Sequence, residues 1–503
     1  MKKQIKLGAL LGYANLIANA LVSLIYTPFM LKAMGQSEYG LYSLVASVIG
    51  YLSIMDLGFG NAMVRFVSKS QAKKDNQENK INGLFLFLYC IIAIIVLILG
   101  LVILFNVDTI FANSLTIIEI EKSKILVLIM IISLVISFPL TVFDSYIVAN
   151  ERFVYSKIIT LAKNLIKPLV MIPLLLFGYK SVAMTLVVAI TNVLYHVFMA
   201  LYSIFKLNIK FEFSIKNIDT KLLKEIAAYS FFIFLNIIVD KVFNSTDQVI
   251  LGIVCSTSAV AIYSVASTIT TMNTQCSTVI SGLFLPKITK TLEENNSDEK
   301  VSNLFLKVSR LQIYLMMLIL FGFITFGKYF INLWAGKDYI DAYYIILVLI
   351  LPSVVPLTQN LGISVLQAKN MHQFRSVVYI SIAVLNVLIS IPLAKNYAGV
   401  GAAIGSALAN LLGQIIIMNI FYYKKAKLDI PTYWKFFAKM FIYFSIESCV
   451  FMIINKYINI NIYSYIFEIL IFTFVYAIIC YLNTNEYEKS IVDKFLVRLK
   501  IKK

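Results

Sequence analysis

Fourteen apolar runs leave this chain few ways to fold. They lie near residues 10–31, 41–61, 84–105, 125–149, 158–177, 181–203, 225–244, 258–284, 304–326, 342–366, 376–394, 399–422, 436–454 and 463–482. Each is about as long as the 20 residues a helix needs to cross a hydrocarbon core of about 30 Å. Water is not available there to satisfy backbone amides, so each crossing must close its own hydrogen bonds. The expected class is an all-α polytopic membrane protein with 14 transmembrane helices. Composition agrees, with 60% of the 503 residues hydrophobic and only 14% charged. The first run has no small-residue cleavage site behind it and is followed at once by a second, which argues against a removable signal.

A net charge of +18 invites a nucleic-acid reading, and the distribution of that charge removes it. With the N-terminus in the cytoplasm, the cytoplasmic segments carry 30 of the 44 Lys and Arg residues and the external loops carry 8. The remaining 6 fall inside the runs. This is the positive-inside asymmetry, and it places both termini in the cytoplasm. The charge sets orientation and meets anionic lipid.

The chain also repeats itself. Gly35 to Lys69 holds a short turn, one span, a glycine-broken end with a carboxylate, and a basic polar loop; Ser256 to Lys290 follows the same plan. Tyr42-Ser43 falls on Tyr263-Ser264 and Lys69 on Lys290, each 221 positions apart. Pro139-Leu140-Thr141 recurs as Pro356-Leu357-Thr358 after 217 residues, and Ala189 and Asn192 recur as Ala407 and Asn410 after 218. Echoes at nearly one period indicate duplication. The expected organisation is a six-helix bundle over 1–203, a cytoplasmic linker over 204–224 and a second six-helix bundle over 225–422. Two extra helices and a basic tail follow over 423–503. Six is even, so both copies enter the membrane in the same direction. The two copies are then related by an axis along the membrane normal, with a cavity at the midplane. Within the linker, Lys210 to Asn217 alternates in a way that suits a brief extended piece or an interfacial helix.

Several chemistries lack their parts. Cys90, Cys255, Cys276, Cys449 and Cys480 are scattered, with no clustered metal-ligand spacing. No glycine-rich nucleotide loop of the Walker type is present. No external loop much exceeds about 20 residues or carries a catalytic constellation, so transport fits better than a membrane glycosyltransferase or polymerase.

Four stretches carry a family resemblance: GQSEYGLYSL from Gly35, DLGFGNAMVRFVSK from Asp56, NSTDQVILG from Asn244 and YAGVGAAIGSALAN from Tyr397. They resemble the Wzx-type polysaccharide transporters of the multidrug/oligosaccharidyl-lipid/polysaccharide (MATE-like) exporter superfamily, over essentially the whole chain. The resemblance implies movement of an undecaprenyl-diphosphate-linked oligosaccharide from the cytoplasmic to the outer leaflet of a bacterial inner membrane. That step would serve O-antigen, capsule or exopolysaccharide synthesis by alternating access, without an enzymatic reaction. It implies no cofactor, coupling to a Na⁺ or H⁺ gradient or to membrane potential, and a polymerase machinery as partner. The extra helices would supply a groove for the lipid tail. A small-cation antiporter and an envelope glycan polymerase or ligase are the competing readings.

Ionisable residues deep in spans are the candidate site, because a charge at the bilayer centre costs roughly 2.5–3.5 kcal/mol on insertion scales. Lys163 and Lys167 are four apart, on one face of span five, and Lys167 precedes Pro168. A lysine there meets phosphate as a point charge, or Lys163 snorkels to the interface. Lys241, Arg310 and Arg65 are further cations for an anionic head group; Arg310 also fits simple positive-inside placement. Asp56, Asp240, Asp247 and His196 are the ion-coupling candidates. For Asp56 an ion-coupling role or a salt bridge with Arg65 competes with a plain boundary turn; Asp247 also fits a helix-end carboxylate, and His196 a packed core residue.

Overall fold

A computed structural model describes residues 2–73, 77–213, 220–281, 288, 291, 297–369, 371–457, 461–486 and 488–489. Among them every regular element is helical. In chain order these are α1 (Lys2–Met34), α2 (Gln36–Leu52), α3 (Phe59–Lys73), α4 (Glu78–Phe111), α5 (Ile117–Ala149), α6 (Phe153–Leu176), α7 (Ser181–Phe205), α8 (Thr220–Val254) and α9 (Thr257–Ser281). There follow α10 (Ser297–Trp334), α11 (Asp341–Thr358), α12 (Leu361–Ala368), α13 (His372–Asn410), α14 (Met418–Lys424), α15 (Ile430–Tyr457) and α16 (Ile462–Leu482).

Eleven stretches among the described residues are long and apolar enough to span a bilayer. They differ from the fourteen runs at three places. Gln373–Lys424 is a single stretch of 52 residues holding two runs, with non-helical backbone only at Ala398 (φ 47°, ψ −131°). The runs at 225–244 and 258–284 are not among the eleven. The second is rich in Ser, Thr and Asn, which lowers its hydropathy; the first includes positions whose side chains lie outside the described residues. The basic segment after Gly60, expected as a loop, is helix α3. Ala62, Met63, Phe66, Val67 and Ser70 recur at helical spacing and bury one face of it. At Lys210–Phe213 the linker is neither helix nor strand; Glu212 N donates to Asn79 O at 2.9 Å and Asn82 Nδ2 to Lys210 O at 3.2 Å. Its remainder, 214–217, lies outside the described residues.

Helix starts recur at a nearly constant offset. Gln36 and Thr257 are 221 apart, Glu78 and Ser297 219, Ile117 and Asp341 224, Phe153 and His372 219. The copies differ where their Pro-Leu-Thr echoes fall. Pro139 is absorbed within α5, whereas Pro356 ends α11 and the chain turns at Gln359–Asn360 before α12.

The chain packs as two compact units, Met1–Thr268 with Tyr379–Ser406, and Ile269–Val378 with Ala407–Lys503. In the first unit, α5 packs on α4 and α7, and α1 packs on α6. Gly100 lets α4 approach Ile131 of α5, the small-residue contact that replaces hydrophobic drive in lipid. The opposite face of α4 exposes Ile94, Ile98, Val102 and Phe105, as a lipid-facing helix should. The starts of four helices meet on two carboxylates. Glu119 closes a capping box with Thr116 and accepts from Ser37 Oγ of α2 and Thr257 Oγ1 of α9, each at 2.7 Å. Glu38 accepts from Lys122 of α5 and from the Ser181 hydroxyl that opens α7. Anionic groups are favoured at these positive helix ends.

In the second unit, α15 and α16 lie on α10 through an aromatic layer. Phe326 meets Phe451, Tyr465 and Phe472, and Phe444 stacks on Tyr476 at 4.0 Å.

Candidate functional site

Within the first unit, α5, α6 and α7 gather a polar cluster in otherwise apolar helices. Lys163 and Lys167 sit one turn apart on α6, both half-buried. Pro168 has no amide to give the carbonyl of Asn164, which frees a backbone acceptor between the lysines. Lys163 reaches across to α7 and not along α6: its Nζ lies 4.5 Å over the Tyr195 ring and 3.4 Å from Asn192 Oδ1. His196, one residue on, places Nδ1 2.9 Å from Oδ2 of Asp144 on α5. Asp144 is also within electrostatic reach of Lys163, which in turn feels Lys167. The stacked rings of Tyr155 and Tyr202, 3.9 Å apart, hold α6 to α7, and Asn15 of α1 donates to Lys157 O at 2.9 Å.

Asp144 was not read from the sequence as a site residue. Its signal was available: a carboxylate inside the fourth run, as costly there as either lysine. His196 thus has the partner that the sequence did not reveal.

The other candidates lie elsewhere. Asp56 ends a short 3₁₀ turn (Ser53–Asp56), where Leu57 and Gly58 take positive φ of 52° and 73°. Its carboxylate accepts from Tyr89 OH at 2.7 Å and from the amides of Gly58 and Gly60. Arg65 is not brought to Asp56; its guanidinium lies 4.4 Å over the Tyr229 ring. Lys241 Nζ rests against Gly50 of α2. The side chain of Asp240 lies outside the described residues. Asp247 is inside α8, 4% exposed, and accepts from Tyr263 OH and, at 2.6 Å, from Ser406 Oγ. Ser390 Oγ donates to Asn386 Oδ1 at 2.6 Å, and Ser406 reaches that oxygen at 3.2 Å. Among the described residues no group of three or more His, Cys, Asp or Glu could hold a metal ion.

In the second unit, Arg310 is committed to the tail. Its Nε and Nη2 pair with the two carboxylate oxygens of Glu488, Nη2 also donates to Asn483 O at 2.9 Å, and the guanidinium lies 3.7 Å over Phe436. Glu488 is 2% exposed, so breaking the pair leaves a buried charge. Arg310→Ala is expected to cost about 3–5 kcal/mol of stability. A thermal unfolding midpoint unchanged from wild type would show that the tail anchors nothing.

The fold is that of a multi-pass helical membrane protein. The whole chain is similar to solved structures at low identity. A lipid II flippase, MurJ, in an inward closed conformation superposes with a TM-score of 0.72 at 15% identity, covering 94% of this chain and 97% of its own. An inward-facing multidrug resistance MATE family transporter of the MOP superfamily gives 0.59 at 14%, covering 84% and 96%. The Vibrio cholerae MATE transporter VcmN in its bent form gives 0.52 at 13%, covering 87% and 100%. Residues 8–292 match the family described as polysaccharide biosynthesis protein, and the chain belongs to that family. The family resemblance carried by the four stretches is borne out. No curated protein matches the chain.

Proposed function

We propose that the protein is a flippase carrying an undecaprenyl-diphosphate-linked oligosaccharide from the cytoplasmic to the outer leaflet of the bacterial inner membrane, by alternating access. It serves O-antigen, capsule or exopolysaccharide synthesis and hands its product to a polymerase. The observation that carries this reading is the half-buried pair Lys163 and Lys167, beside Asn192 and Tyr195, in a membrane helix. Lysines so placed are costly in lipid, and a doubly charged diphosphate is the cargo that repays them. Family membership and the fold support a transport role for a glycan precursor. The recurring helix starts support a six-plus-six duplication with two added helices, fourteen spans in all. The positive-inside asymmetry supports cytoplasmic termini. Energy comes from an ion gradient or the membrane potential, and Asp247 with its ring of hydroxyls is the described carboxylate most suited to a coupling cation or proton.

Depleting the protein in its host tests the reading. Completed undecaprenyl-diphosphate oligosaccharides are expected to build up in the cytoplasmic leaflet, with the sugar identified by mass. Completed units in the outer leaflet, unpolymerised, would point to a polymerase instead. The buried Asp247 also suits a MATE-like cation antiporter; unchanged lipid-linked sugars together with lost efflux of cationic drugs would select that reading.

A further inference from the structure

We infer that Asp144 makes anion binding at Lys163 conditional on a proton: it is an internal carboxylate that competes with the diphosphate for Lys163 unless the Asp144–His196 pair is protonated. This rests on the flippase reading and adds to it a specificity-determining residue.

The geometry places the three side chains in series. His196 Nδ1 is 2.9 Å from one oxygen of Asp144, and Lys163 Nζ lies 4.5 Å over the ring of Tyr195, which is itself 5.1 Å from the imidazole. Lys163 forms no ion pair within 4 Å among the described residues, so its charge is shared between Asp144 and whatever anion enters. Among the described residues, the neighbouring helices bring these groups towards the pair. From α6 it faces Lys163 and, one turn on, Lys167. From α7 itself it meets the Tyr195 ring, 5.1 Å from the imidazole. From α4 it faces Tyr89, whose hydroxyl is held by Asp56; Glu78 of α4 is taken by Tyr146 and Gln71. The cations of α3 turn to α8, with Arg65 over Tyr229 and Lys69 paired with Glu225 at 3.6 Å. Charged Glu38 of α2 lies at the start of α7, some 15 residues from His196.

The charge count follows. With one proton shared by imidazole and carboxylate, the pair is neutral and the lysines present +2 to the anion. After the proton leaves, the pair carries −1 and the site falls to +1. Which atom holds the proton does not alter this count. One unit charge lost from a partly buried site is worth about a tenfold or larger change in anion affinity.

The test uses the full-length protein in lipid nanodiscs and a short-chain isoprenyl-diphospho-N-acetylglucosamine. This probe is a diester whose two negative charges do not titrate near neutrality. Its affinity for the wild type is expected to fall about tenfold from about pH 5 to about pH 8. Asp144→Asn is expected to bind tightly at both ends of the range. His196→Gln is expected to bind weakly at both, and it decides the matter if Asp144→Asn does not purify as a folded protein. Wild-type binding that ignores pH, or a His196→Gln protein that keeps the wild-type pH dependence, overturns this inference and leaves the flippase reading standing. No binding by wild type or by Asp144→Asn at any pH overturns both.

Discussion

Lys163→Glu is expected to abolish export of the glycan while the protein stays in the membrane at its normal level. The substitution reverses a charge beside Asn192 and Tyr195 and adds a second carboxylate near Asp144. A site that offered a diphosphate two lysines then offers one lysine and two carboxylates. At an effective dielectric constant near 20 each changed pair is worth on the order of 2 kcal/mol, so affinity falls by two or more orders of magnitude. Lys167→Glu should behave alike, and Lys163→Gln should give a graded loss. The readout is glycan at the cell surface in a depleted strain carrying each variant, with membrane levels followed by immunoblot. Wild-type export from both charge reversals would remove these lysines from the transport path.

Gly40→Ala is expected to prevent assembly of the first unit. A Cβ at Gly40 would land on the backbone carbonyl of Thr257, where α2 meets the start of α9. A side chain can rotate away from such a clash; a carbonyl inside a helix cannot without moving the helix. Overpacking typically costs 1–3 kcal/mol, and about the upper end or more is expected here. Gly12 of α1 is the control, since nothing lies within 4 Å of its added Cβ. Purification in mild detergent should yield aggregated or degraded Gly40→Ala protein beside monodisperse Gly12→Ala. Equal yields would show that α2 and α9 can part at no cost.

The helical class was legible because lipid imposes one solution on every apolar run. The count was less so: hydropathy separates spans only where a polar loop intervenes, and around Ala398 the two runs nearly touch. Helix α3 was missed because its period is amphipathic while its composition is basic. At the site, Lys163 and Lys167 could be paired from spacing alone, since both lie on one helix. Asp144 and His196 could not, because 52 residues and a helical hairpin separate them. Asn192 was noted only as an echo of Asn410, yet it is the amide that Lys163 reaches. Tertiary pairing between helices is what one sequence withholds.

The two carboxylates that gather the starts of α2, α5, α7 and α9 make the first unit stiff at one end. Asp144 lies 27 residues beyond the start of α5 and His196 15 beyond that of α7, about 40 Å and 22 Å along their axes. Helices pinned at one end act as lever arms, and a few degrees of tilt at the pin become ångströms at the far end. Glu38 and Glu119 touch none of the cluster, yet they set how far apart Asp144 and His196 can swing.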